Sequence, residues 1–197
     1  MPSRGEWTRR LPLVTNEIIV DLPLTLGVIA DTHASPMRGQ AALAAIEHLF
    51  QRLSVGLIVH AGDVGHQSVL DELVSVAPVV AVRGNADPPD LISSLPDHLV
   101  IQAGPMTILV LHGHRGKTAR QAARAVASPD IDLIIYGHSH RPMIEREGAT
   151  ILFNPGSPVE RRWNPHFGVG LVELSEDGIK PELVLFTDPA HLANIER

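Results

Sequence analysis

The 197-residue chain contains no cysteine, which excludes disulfides, thiolate metal sites and a cysteine nucleophile. Any metal must therefore be held by imidazole, carboxylate or amide groups. Long apolar runs are also lacking. Even the stretch from Leu22 to Ala30 falls far short of the roughly 20 residues that span a bilayer, and Pro23 and Thr25 interrupt it. No transmembrane helix is expected, and no membrane partner. No basic run is longer than Arg9-Arg10 or Arg161-Arg162, and the formal net charge is -6, so no broad field draws in polyphosphate. Extended nucleic acid is disfavoured as a partner, while a small nucleotide-like phosphoester stays open. The first 21 residues carry three Arg, but Glu6 and Glu17 lie among them and no apolar core follows. A secretory signal is not expected, and the protein is read as cytoplasmic.

Against an aromatic fraction of only 4%, the chain holds 11 His. The length suits one compact domain. Residues 23–197 are read as that domain, and 1–22 as an N-terminal extension, either flexible or docked through Ile18, Ile19 and Val20. Leu24–Ala30 reads as a buried strand ending in Asp31-Thr32-His33. Ala42, Leu43, Ile46, Leu49, Phe50 and Leu53 recur at helical spacing over Arg38–Leu53. Strands over Val55–His60 and Val79–Val82, separated by a helix over Gln67–Val76, end in Ala61-Gly62-Asp63 and Arg83-Gly84-Asn85. The second half is denser in strands. Leu99–Ala103 and Thr107–Leu111 flank Gly104-Pro105. A helix over Thr118–Ala127 and a strand over Asp132–Tyr136 follow, then hairpins about Gly148-Ala149 and Ser175–Gly178. This order predicts an α/β fold with a mixed sheet, or a pair of sheets, covered by helices.

Five polar clusters each follow an apolar, strand-like run: Asp31-x-His33, Gly62-Asp63, Gly84-Asn85, His112-Gly113-His114 and Gly137-His138-Ser139-His140. Open α/β sheets bind ligands at the carboxyl ends of their strands, so the clusters aim at one place. Residues i and i+2 of a strand point the same way, which lets Asp31 and His33, or His138 and His140, reach one cation. Imidazole, carboxylate and amide together suit manganese, iron or zinc. Asp31, His33, Asp63, Asn85, His112, His138 and His140 are too many ligands for one tetrahedral ion and about right for two ions. A pair of cations stabilises the attacking and leaving oxygens of an in-line displacement, so phosphoester hydrolysis is the expected use. Taken singly, Gly-Asp and Gly-Asn more often make turns. His60 and His66 read as caps of a strand or loop. Asn154-Pro155-Gly156 reads as a turn supporting the site from below. Arg83, Arg161 and Arg162 are candidate phosphate contacts with a competing reading as solvated surface.

The ordered motif set from Leu24 to about Gly156 resembles the calcineurin-like metallophosphoesterase superfamily. The Gly84-Asn85-Ala86-Asp87 and Asn154-Pro155-Gly156-Ser157 segments resemble its compact YfcE-like phosphodiesterase branch, to which Vps29 is related. The resemblance implies a four-layer αββα sandwich with two mixed β-sheets flanked by helices. It implies two divalent metal ions per chain, manganese foremost, with iron, zinc, nickel or magnesium as alternatives. One ion would sit on Asp31, His33, Asp63 and His140, and the other on Asp63, Asn85, His112 and His138. Asp63, Asn85 and His114 are then the candidate catalytic residues, and Asn85, His114 and Arg83 the candidate substrate contacts. A metal-bridging hydroxide attacking phosphorus is the expected mechanism, most readily on a phosphodiester. The chain departs from many superfamily enzymes at Ala86. There the family pattern implies a His that contacts phosphate and protonates the leaving group, so phenol-like or phosphate-like leaving groups are favoured unless His66 or His114 substitutes. Two alternatives stand beside this reading: a Vps29-type protein-interaction scaffold and a nucleotide phosphomonoesterase. Homo-oligomerisation through a C-terminal edge strand is also compatible with the sequence.

Overall fold

In the computed structural model, which describes residues 16–195, two mixed β-sheets stack face to face with helices on both outer surfaces. The five-stranded sheet runs β11-β10-β2-β3-β4, built from β2 (Leu24–Ile29), β3 (Leu57–His60), β4 (Val79–Ala81), β10 (Phe167–Ser175) and β11 (Gly178–Phe186). The six-stranded sheet runs β1-β5-β6-β7-β9-β8. Its strands are β1 (Glu17–Val20), β5 (His98–Ala103), β6 (Met106–Leu111), β7 (Leu133–Tyr136), β8 (Met143–Glu147) and β9 (Thr150–Asn154). The expected αββα layering is present.

Side-chain alternation along each strand explains the layers. In β2, Leu26 and Val28 enter the core between the sheets, whereas Ile29 joins the core under the helices. In β7, Leu133 and Ile135 face the other sheet, while Ile134 and Tyr136 meet α4 (Ala119–Ala125). Ala42, Leu43, Ile46, Leu49 and Phe50 form the buried stripe of α1 (Gln40–Arg52). A Cβ on Gly27 would lie 2.6 Å from the Phe50 ring, so the absence of a side chain there is what lets that ring lie flat on the strand. Full burial of such a ring contributes about 1.5–3 kcal/mol. The helix α2 (Gln67–Leu73) and the short α3 (Pro89–Ser94) complete this outer layer, through Val69, Leu70, Leu73 and Leu91.

The site depends on two triplets of neighbouring parallel strands. β2, β3 and β4 are parallel neighbours in one sheet, and β6, β7 and β9 are parallel neighbours in the other. Their carboxyl ends carry all five polar clusters and the Asn154 turn. Apart from β1 beside β5, the remaining strand pairs are antiparallel, and the three expected hairpins form with pairings Ala103↔Met106, Glu147↔Thr150 and Ser175↔Gly178.

One difference from the sequence reading concerns the start of the chain. Glu17–Val20 is a sheet strand, pairing in parallel with β5 from Glu17↔Val100 to Val20↔Ala103, and Ile18 lies in the core between the sheets. Residues 17–20 are thus a strand of the six-stranded sheet, and residues 1–15 lie outside those described. No helix among the described residues is long and apolar enough to cross a membrane.

Candidate metal centre

Asp31 and His33 follow β2, Asp63 follows β3, His112 follows β6, and His138 and His140 follow β7. Their donor atoms gather into two groups, Asp31–His33–His140 and Asp63–His112–His138, each within 4.8 Å internally. The two groups touch. The Asp63 carboxylate lies 3.1 Å from Nε2 of His112 and 3.6 Å from Nε2 of His33, and Nε2 of His33 is 3.2 Å from Nε2 of His140. Asp31 Oδ1 is 3.7 Å from Nε2 of His140 and 4.0 Å from Nε2 of His112.

This clustering requires unusual backbone. Asp31, His33, Asp63, His138 and His140 all have positive φ, between 42° and 68°, and only Ser54 and Arg162 share this among the other described non-glycine residues. Such conformations cost on the order of 1–3 kcal/mol each. Surrounding contacts hold them in place. The Asp31 carboxylate accepts the N–H of His138 at 3.0 Å, and the Ser157 hydroxyl donates to the Asp31 carbonyl at 2.7 Å. Asp63 accepts the N–H of Ala86 at 2.8 Å. A Cβ on Gly84 would come within 2.0 Å of that same carboxylate oxygen, which makes the Gly before Asn85 a steric requirement.

Ring orientation is fixed from behind. Nδ1–H of His112 donates to the Ala61 carbonyl at 2.9 Å, and Nδ1–H of His140 donates to the Glu160 carbonyl. Each imidazole thereby presents Nε2 to the cluster, as hydrogen-bonded metal ligands do. Asp31 Oδ2, His112 Nε2 and His138 Nδ1 are buried without a hydrogen-bond partner. Orphaned buried donors and acceptors are rare unless an ion or ligand completes them, so these residues fit a divalent metal site.

The electrostatics agree with that fit. Burial pushes Asp31 up to about 7, opposed by His112. Burial alone would raise Asp63 too, but the His112 ring beside it, with the Ala86 N–H and His33, holds it well below the usual carboxylate range. Burial lowers His33 and His138 and brings His140 down to about 4, so these rings are neutral and able to ligate. Burial opposes protonation of His112 as well, but Asp63 and Asp31 outweigh it and raise that ring. For Asp31 the folded value lies above the ordinary 3.8. Without metal, the protein therefore loses stability as pH climbs from about 4 to about 7. We expect Asp31→Asn to raise the melting temperature of the metal-free protein by on the order of 5 °C at pH 8, and by much less at pH 5. Thermal unfolding at the two pH values in chelator checks this, and an equal shift at both would contradict it.

Asn85 is exposed on the turn after β4, and its side chain makes no hydrogen bond to another described residue. His114 is half-buried beside the second group, its ring 5.5 Å from that of His112 and 6.4 Å from that of His138. Its Nδ1 is buried without a partner. Arg83 is taken up internally, donating to Asp97 at 2.8 Å and to the Ile92 carbonyl at 2.9 Å. His66 caps α2, accepting the N–H of Ser68 at 3.1 Å. Asn154 donates to the Gly137 carbonyl at 2.9 Å and to the Ser139 hydroxyl at 3.1 Å, supporting the loop that carries His138 and His140.

Two supports escaped sequence reading. Asp87 accepts the N–H groups of Gly65 at 3.0 Å and Gly84 at 2.7 Å, tying together the loops that carry Asp63 and Asn85. The Thr32 hydroxyl donates to the Val64 carbonyl at 2.7 Å and accepts from Nε2 of His60 at 2.9 Å. Burial holds that His60 ring neutral, down to about 3. For Asp87 and Thr32 the available signal was a small polar residue directly beside a ligand motif.

Residues 24–177 match the model of the calcineurin-like phosphoesterase superfamily domain. The chain belongs to that superfamily. A probable metallophosphoesterase of Methanocaldococcus jannaschii is 33% identical over 153 residues, covering 75% of each chain. Among solved structures, an archaeal phosphodiesterase superposes with a TM-score of 0.65 at 19% identity, over 83% of this chain and 100% of the other. Vps29 of Entamoeba histolytica superposes at 0.60 with 24% identity, over 83% and 100%. Both are likenesses of fold. Within the superfamily, the two triplets of parallel strand ends and the metal-fitting cluster are the features that bear on chemistry.

Proposed function

We propose that the protein is a metal-dependent phosphoester hydrolase using two divalent cations, with phosphodiesters as its preferred substrates. The observation that carries this reading is the Asp63 carboxylate, which lies between the His33 and His112 rings at 3.6 and 3.1 Å and so can serve both ligand groups. Asp31, His33, Asp63 and His140 would hold one cation, and Asp63, Asn85, His112 and His138 the other. When bound, such a pair lowers the pKa of a coordinated water and neutralises charge on phosphoryl oxygens.

The chain's own residues set the rest. Ala61 and Glu160 aim His112 and His140, and Ala86 N–H orients Asp63. In the net reaction water adds to phosphorus, the P–O bond to the leaving group breaks, and the released proton ends on solvent or the departing oxygen. His114 is the nearest uncommitted imidazole, but burial and the neighbouring His112 lower it, which makes it a proton acceptor rather than a donor at neutral pH. With Ala86 exposed on the adjoining turn, no side chain there supplies a proton. Leaving groups that depart as stable anions are favoured accordingly.

The test is hydrolysis of bis-p-nitrophenyl phosphate and p-nitrophenyl phosphate by metal-stripped protein resupplied with manganese, with metal content measured in parallel. Diesterase activity that returns with about two metals per chain is expected. Metal binding without turnover of either compound would favour a binding role of the kind the Vps29 likeness suggests, and protein that takes up no metal would refute the reading.

A further inference from the structure

We propose that the turn carrying Arg162 and Trp163 forms a subsite for the nucleobase of a nucleotide-like phosphoester; this rests on the hydrolase reading above and assigns that site's substrate class.

The turn is fastened to a candidate metal ligand on both sides. Before it, the Glu160 carbonyl accepts Nδ1–H of His140; after it, Asn164 Nδ2 donates to the His140 carbonyl at 2.8 Å. Arg161 braces it from within, donating to the carbonyls of Asn164 at 3.3 Å and Pro165 at 2.9 Å, with its guanidinium 5.7 Å from the centre of the Phe167 ring. Ser157 then ties the segment to Asp31, donating to the Asp31 carbonyl and accepting the N–H of Glu160 at 2.9 Å. A turn anchored this heavily has no stability reason to present Trp163 wholly to solvent, yet that side chain is 100% exposed.

Arg162 points to an anion. Of the three arginines raised by the sequence, Arg83 and Arg161 are satisfied internally, whereas Arg162 has no hydrogen-bond or ion-pair partner among the described residues. It adopts φ +50° and lies between Glu160 and Asn164, which both bond His140, so it stands beside the cluster. Ser139, Arg141, Arg162, Trp163, His166 and Leu185 line a groove of about 660 Å³, within the roughly 300–1,000 Å³ of small-molecule sites. A local run of cations on a chain of net charge -6, next to an indole face and a metal-fitting cluster, matches a ligand with a phosphate at one end and a flat aromatic system at the other. Base–aromatic stacking tolerates any base, because each has a π-face.

The test compares two probes with the same phosphate, adenosine 5′-monophosphate and ribose 5-phosphate, on full-length zinc-loaded protein in a Trp7→Phe background that leaves Trp163 as the sole indole. Binding is followed by equilibrium dialysis and by Trp163 emission. Adenosine 5′-monophosphate should bind on the order of tenfold tighter than ribose 5-phosphate and quench the emission. Trp163→Ala should bind the two equally while keeping its zinc, and Trp163→Phe should retain most of the preference. Equal binding by the parent, no binding of either probe, or a preference that survives Trp163→Ala would overturn the subsite. Those failures leave zinc content and bis-p-nitrophenyl phosphate hydrolysis of the parent intact. Loss of zinc uptake or of that hydrolysis would instead remove the hydrolase reading, and the subsite with it.

Discussion

Asp63→Asn should depress bis-p-nitrophenyl phosphate hydrolysis by more than about a hundredfold, beyond the 10–100-fold typical for residues that merely orient a ligand. It should also lower metal content by at least one ion per chain. One carboxylate oxygen is committed to the Ala86 N–H, while the group faces His112 and His33. Asparagine preserves volume and the backbone contact but removes the charge shared by both ligand groups. Because Asp63 is held ionised, the charge is present throughout the working pH range, and the defect should not be rescued by raising pH. Far-ultraviolet circular dichroism should be unchanged, which separates a site defect from unfolding. Full activity with two metals in the variant would remove Asp63 from its shared position.

The second large effect is a gain. Ala86→His should accelerate cleavage of phosphodiesters with alkyl leaving groups by about 10²- to 10⁴-fold, the range for a positioned general acid, while p-nitrophenyl esters change little because p-nitrophenolate departs without a proton. Ala86 is exposed on the turn next to Asn85, so an imidazole has room. The tie from residue 86 to Asp63 is made by the backbone N–H and survives the change. A new acidic limb in the pH–rate profile should accompany the gain. If the ratio of alkyl to aryl rates is the same in both proteins, the absent proton donor is not what limits the parent.

The parts of this molecule legible in its sequence share a physical cause. Asp31, His33, Asp63, His112, His138 and His140 could be picked out because polar residues immediately after apolar strands have little packing purpose, and the structure brings these six together. α1 could be read because thirteen residues allow its stripe to repeat. By contrast, α3 over Pro89–Ser94 and the 3₁₀ turn over Pro189–Asn194 are six residues each, too short for a period to show. β1 was hard to place because only Ile18 of its strand is fully buried while Ile19 is 75% exposed, and its partner β5 lies some eighty residues downstream. Asp87, Thr32 and the Glu160 carbonyl act on backbone groups of remote loops. Pairings of that kind leave no spacing rule in a sequence.

The left-handed backbone at Asp31, His33, Asp63, His138 and His140 bears on how such sites change over evolutionary time. Asp, Asn and His are the non-glycine side chains most tolerant of that conformation, and they are also the ones that bind hard and borderline metals. Two unrelated selective pressures thus favour the same residue types at the same positions. A descendant that abandoned hydrolysis would still be penalised for placing a β-branched or bulky residue there, and would drift chiefly among Asp, Asn, His and Gly. Ligand-type residues in such loops can therefore outlive the chemistry for which they were first selected.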